Sequence, residues 1–160
     1  MAQIKQQLIG EESARELLEL QKTATPRLTW SEDSAHVGTK IITFGVRTNG
    51  HRNLVVELTA RIHPLVNRTV LEYGLFRIDP IFRQQERIYQ LAIDDPKFIT
   101  HREKGKPNIY GSHELIGDST IAVPQCNGIS FSDGLGVFLN SINLTLDDGP
   151  IPDPFVLSLK

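Results

Sequence analysis

Apolar and polar residues alternate most clearly between residues 54 and 62. Leu54, Val56, Leu58, Ala60 and Ile62 are interleaved with Val55, Glu57, Thr59 and Arg61. A period of two sends successive side chains to opposite faces, so this run predicts a strand with one buried and one largely polar face. The preceding run, KIITFGVRT, ends at Asn49-Gly50, a pair that readily takes the positive φ angles of a type I′ turn. Together the two runs predict a hairpin. VLEYGLFRID (70–79) and RIYQLAID (87–94) read as two more strands, rich in β-branched and aromatic residues. PIFRQQE between them reads as a loop or one short helical turn. KFITH (97–101) and STIAV (119–123) look like a further strand pair, joined by a segment that Gly105, Pro107 and Gly111 interrupt.

Two stretches follow a helical period instead. In EESARELLELQKTA, Ala14, Leu17, Leu18 and Gln21 fall at i, i+3, i+4, i+7, with Glu11 and Glu12 in the first turn and Pro26 as the stop. In SDGLGVFLNSINL, Leu135, Phe138, Leu139 and Ile142 share a face behind a cap at Ser132 or Asp133. Gly134 and Gly136 each cost that helix about 1 kcal/mol. The tail DDGPIPDPFVLSLK is punctuated by proline and reads as extended, with FVLSL as a candidate edge strand. The expected architecture is a single α+β domain over residues 1–160, a mainly antiparallel twisted sheet with an N-terminal and a C-terminal helix packed on it. Residues 1–25 form the N-terminal helical segment, 26–130 the sheet, 131–143 the second helix and 144–160 the tail. A typical sheet of this class has roughly five to seven strands.

Composition adds limits. At 160 residues with 39% hydrophobic and 22% charged positions, the chain is long enough to fold around one core without metal or disulfide. No apolar run approaches the roughly 20 residues of a membrane-spanning helix, so no membrane partner is expected. The N-terminus has acids close behind a very short apolar patch, unlike a signal peptide. The single Cys126 has no partner for an internal disulfide, and a reducing cytoplasm is the simplest compartment. Charge is unevenly spread: residues 1–39 carry −2, residues 40–106 carry +5 and residues 107–160 carry −5. A basic middle attracts polyanions such as RNA, unless the acidic last third folds back on it.

Nucleotide-binding glycine loops, zinc-protease and serine-hydrolase motifs and paired CxxC are missing, and no cofactor is expected. The candidate chemistry lies in HREKGKPNIYGSH, residues 101–113. Cutting RNA without metal needs a base, an acid and cations around the phosphate. His101 and His113 would be the proton-transfer pair. Arg102, Lys104 and Lys106 would hold phosphate, Tyr110 would stack on a base or donate a hydrogen bond, and Arg77 would act as a buried clamp. The alternative is a solvated hairpin whose basic residues serve only solubility, with Arg77 in a structural ion pair. A mixed metal site from His101, His113 and Glu114 or Asp118 is a third option, though its spacing matches no known ligand pattern.

Residues 75–143 resemble a family of small bacterial proteins of unknown function. The shared elements are Arg77-Ile78-Asp79, His101-Arg102, Gly105, Gly111-Ser112-His113, Gly117-Asp118 and the helix around Phe138–Asn143. The family's second histidine in its His-x-His element is Leu115 here, and its Asn-Pro after His-Arg is Glu103-Lys104. The resemblance implies a compact bacterial protein of the kind found near mobile elements. Two roles fit that setting: an RNase toxin acting on RNA, or a non-enzymatic inhibitor that docks on another protein, such as an antitoxin or host target.

Overall fold

The computed structural model describes residues 5–33, 36–63, 65–79, 81 and 84–155, with no side-chain detail for 5–8. A single compact α+β domain is built on one large, mainly antiparallel sheet. Its elements in chain order are β1 (Lys5–Leu8), α1 (Glu11–Glu19), β2 (Lys22–Ala24), β3 (Ser31–Glu32), β4 (Thr39–Thr48), β5 (His51–His63), β6 (Arg68–Ile78), β7 (Gln84–Ile93), β8 (Ile99–His101), β9 (Ile109–Tyr110), β10 (His113–Ile116), β11 (Ser119–Ala122), α2 (Phe131–Ser141) and β12 (Leu144–Leu146). The main sheet runs β11-β10-β7-β6-β5-β4-β2-β12, with β1 added parallel to β7 and β3 antiparallel to β4. β8 and β9 form a separate two-stranded hairpin.

The long central strands follow from the alternation. Their apolar positions make continuous rows, such as Ile42–Leu58–Tyr73–Leu91 and Phe44–Val56–Leu75–Tyr89. Ala14, Leu17 and Leu18 of α1 and Phe131, Leu135 and Phe138 of α2 join those rows in one core. Tyr73 is packed between Phe131 and Phe138, and its hydroxyl donates to the Phe131 carbonyl at 2.9 Å. Among the described residues, helices cover this face of the sheet alone.

Several expectations are corrected. Among the described residues the main sheet has ten strands rather than five to seven, because short pieces pair with the long ones and at both margins. The first helix stops at Glu19, and Lys22–Ala24 is a strand beside β4 and β12. Lys22 explains the break: its buried ammonium donates to the carbonyls of Leu18, Leu20 and Ile142 at 3.3, 2.7 and 2.7 Å, collecting carbonyls that both helix ends leave unpaired. The hairpin turn is not type I′, since Gly50 takes φ +79° while Asn49 stays out of the left-handed region; a register shift between Val46 and Thr48 absorbs the difference. Residues 119–122 pair with β10, not with 99–101, whose partner is β9. Strand β7 begins at Gln84, inside the segment read as a loop. The cap of α2 is Ser130, whose hydroxyl accepts from Asp133 N at 3.1 Å. The tail contributes β12, paired with β2. The proposed FVLSL strand falls largely on 156–160, outside the described residues.

The two glycines of α2 are not equivalent. A Cβ on Gly134 would lie 2.5 Å from both the Tyr73 hydroxyl and Ile93 Cδ1, whereas one on Gly136 would meet nothing within 4 Å. Gly134→Ala should therefore destabilise the protein by about 1–3 kcal/mol through overpacking. Gly136→Ala should stabilise it by about 1 kcal/mol through helix propensity. Chemical denaturation of both variants checks this; equal effects would show that α2 does not pack on Tyr73 at Gly134.

Candidate functional site

The sheet face opposite the helices is polar, and its register defines a site. Four positions from four adjacent strands lie in one row: Thr59, Glu72, Ala92 and His113. The small Ala92 forms a floor between Glu72 and His113, whose backbones stand roughly 10 Å apart across two strand spacings. One row nearer the sheet's end are Thr39 and Arg61. One row in the other direction are Glu57 and Gln90. Over the first two rows opens a cleft of about 580 Å³, walled by Arg68 and Asp94 and overhung by Ile99 and Thr100 of the β8–β9 flap. That volume is in the usual range for small-molecule sites.

The wall is rigid. Arg68 donates two hydrogen bonds to Asp94, Nε to Oδ1 at 2.8 Å and Nη2 to Oδ2 at 2.6 Å, and its guanidinium lies 4.3 Å from the Phe98 ring centre. The Asp94 hydrogen bond is the main cause of a raised Arg68 pKa. Next to it, Ser112 is fully buried; its hydroxyl accepts from Asp94 N and its own N–H donates to Asn127 Oδ1 at 2.7 Å. Gly111, with φ +78°, makes this approach possible, since a Cβ there would stand 2.7 Å from the same Asn127 oxygen. The chain is thus fixed on both sides before His113.

Burial moves His113, Glu72 and Glu57 toward their neutral forms. His113 is 8% exposed, and desolvation lowers its pKa, with the neighbouring His101 and Arg87 adding to the shift. A 3.4 Å contact from its Nδ1 to the Gly111 carbonyl is best made with the proton on Nδ1, which leaves Nε2 as acceptor. Glu72 has a raised pKa, first from desolvation and then from the charges of Glu57 and Asp94; Gln90 Nε2 donates to it at 3.0 Å. Glu57 is raised as well, by desolvation and by Asp33. Two polar atoms on this face, Thr39 Oγ1 and Arg87 Nε, are buried without a hydrogen-bond partner among the described residues.

The residues expected from sequence separate into two groups. His101 and His113 do converge, with ring centres 5.8 Å apart and planes inclined by 39°. Arg102, Lys104 and Lys106 lie exposed in the flap loop, and Lys106 is paired with Glu103 at 3.3 Å. Tyr110 is exposed on β9. None of these four lines the cleft beside His113. Arg77 is not near them: it shares a row with Leu54 and Glu86 on the helix-covered face and pairs with Glu86 at 2.8 Å. In place of the clamp, Arg77 makes the structural ion pair that was the alternative, with the cross-strand Glu86. The mixed metal set also disperses. Glu114 follows His113 directly and so faces the other side, accepting from the Tyr89 hydroxyl at 2.5 Å, while Asp118 accepts from Glu11 N. Among the described residues no three His, Cys, Asp or Glu side chains could hold a metal ion. Thr39, Glu72 and Arg61 were not expected from sequence. Their only signal was that the polar half of each alternating strand is more than solvent filler.

No family model, curated protein or solved structure matches the chain, so its function has to be argued from its own residues.

The raised pKa of Glu72 means that the folded state holds its proton more tightly than the unfolded chain does. The ionised carboxylate costs stability above that folded pKa, and the cost disappears as pH falls toward 4.5, the ordinary value. Glu72→Gln keeps an acceptor for Gln90 and removes the charge. It should raise stability at pH 7 by roughly 1 kcal/mol, the scale of an ordinary single substitution, and lose that advantage as the pH is lowered toward 4.5. Unfolding curves at several pH values test the sign, and a variant less stable than wild type at pH 7 would contradict the assignment.

Proposed function

We propose that the protein is a non-catalytic binding protein that docks on another protein through the helix-free face of its sheet, with the cleft as a polar socket. The observation that carries this reading is the contrast between the cleft and its rim. Inside, Arg68 and Asp94 compensate each other, and burial raises the pKa of Glu72 and lowers that of His113. Outside, Val37 and Leu65 are 96% and 97% exposed, with Val66 also exposed. These residues occupy the β5–β6 turn and the segment before β4, next to His36, His63 and Thr39 of the cleft mouth. Clustered apolar side chains around a polar concavity are what a protein interface needs at its centre, and solvent exposure leaves them uncompensated.

A second reading keeps the RNase proposal, because the two imidazoles lie close enough to share a substrate. It is disfavoured because the described cations do not converge there: the cleft beside His113 balances Arg61 and Arg68 against Glu72 and Asp94. Metal-dependent hydrolysis has no comparable support.

Both readings meet one experiment. Tagged wild-type protein should retain a stoichiometric protein partner from the cells that encode it, and Leu65→Asp with Val66→Asp should lose that partner without loss of fold. His101→Ala should keep it, and purified protein should leave RNA intact. RNA cleavage by wild type that disappears in both His101→Ala and His113→Ala would replace docking with the nuclease reading.

A further inference from the structure

We propose that the cleft binds a small zwitterion of the α-amino-acid type, with Thr39 and Arg61 holding its carboxylate and Glu72 its ammonium. This goes further than docking and rests only on the part of that reading that makes the cleft a receptor site. At one end of the cleft the fold leaves polar groups unused. Arg61 makes no ion pair or hydrogen bond with any described residue, although it stands at the cleft. Beside it in the same row, Thr39 is 8% exposed and its Oγ1 is buried with no hydrogen-bond partner among the described residues. An unmet buried hydroxyl is destabilising, and a ligand oxygen here would relieve it.

One row away the sign reverses. Glu72 receives a single hydrogen bond, from Gln90, and has Glu57 and Asp94 as like charges and Arg87 as an opposite charge in its surroundings. The other ionic groups are already engaged: Asp94 with Arg68, and His36 with Asp33 at 3.1 Å. Among the described residues, a guanidinium and a carboxylate that form no salt bridge thus line the same cavity from adjacent strands, Arg61 lying opposite Val70 two residues from Glu72. Such diagonal neighbours are roughly 7–8 Å apart. Two long side chains closing from that distance leave room for a few atoms between their charged ends, which suits a ligand carrying a cation and an anion on neighbouring carbons. Val70, Ala92 and Ile99 provide apolar wall for an uncharged side chain. A polyanion would find one free cation among the described residues here, and a simple cation would meet Arg61.

The test is titration of the isotope-labelled protein with each common L-α-amino acid, followed by NMR. At least one should give saturable shifts at Thr39, Arg61 and Glu72 below about 10 mM, a weak-binding regime. Its decarboxylated amine and its deaminated acid should each bind about tenfold or more weaker. Arg61→Met and Glu72→Gln should each weaken binding by a similar factor; both substitutions leave the core untouched. Leu65→Asp should leave it unchanged, so failure of the docking surface and failure of the ligand are read separately. The proposal is overturned if no amino acid saturates in that range. It is equally overturned if either singly charged analogue, or inorganic phosphate, binds as tightly as the zwitterion.

Discussion

The bond between Arg68 and Asp94 ties together segments that are distant in sequence. Asp94 lies at the end of β7 and Arg68 at the start of β6, and Phe98 of the flap lies over the guanidinium. Asp94 Oδ1 also accepts from Asp95 N, and Asp94 N donates to Ser112, one residue before His113. Buried ion pairs seldom stabilise a fold outright, because desolvation offsets the attraction, but removing one partner costs about 3–5 kcal/mol. Here the pair joins the start of β6 to the end of β7, where the chain leaves the sheet for the flap, and Asp94 N is bonded to the residue before His113.

That clamp matters because the two faces of the sheet obey different rules. On the helix side, rows of Leu, Val, Phe and Tyr are sealed by α1 and α2 and need little polar compensation beyond the Tyr73 and Lys22 hydrogen bonds. On the other side the long strands hold polar residues that are incompletely hydrated, although no helix among the described residues covers them. Glu57, Glu72 and Arg87 are all pushed toward their neutral forms mainly by desolvation. A surface selected only for solubility would not retain carboxylates where ionisation is unfavourable. Groups that cost stability are commonly those that a protein keeps for use.

This difference also decides what could be read from the chain. The β4–β5 hairpin and the cores of β6 and β7 were legible, because their alternation persists over long runs and only one register buries Leu54, Val56, Leu58 and Ala60 together. Both helices were legible from three or four buried positions each. Strands of two to four residues were not: Lys22–Ala24 is too short to display a period, and its identity depends on β4 and β12, which are remote in sequence. The meeting of His101 and His113 came from the glycine-interrupted segment between them, even though each belongs to a different strand pair. Their surroundings were not legible. Glu72 lies within a strand in which every other residue is core, and Thr39 is an ordinary threonine until Arg61 is placed opposite it.

The charge pattern shows the same limit from another direction. The excess of cations in residues 40–106 suggested a surface for a polyanion, but in three dimensions it is partly returned by the acidic last third. Arg47 meets Asp147 at 2.5 Å, and Lys40 donates to the Pro154 carbonyl as the tail passes over β4. The cations that remain exposed, Arg102, Lys104 and Lys106, project from the flap loop, one side of which is neutralised by Glu103. Transition-state stabilisation of a phosphodiester requires positive charge aimed at the point where negative charge develops. Near His113 the field is instead divided between Asp94, which favours its protonation, and His101 and Arg87, which oppose it. Two histidines close together therefore lack the cationic setting that would make them a nuclease, whereas a cleft that sets Arg61 and Glu72 in adjacent rows suits a ligand that carries both signs.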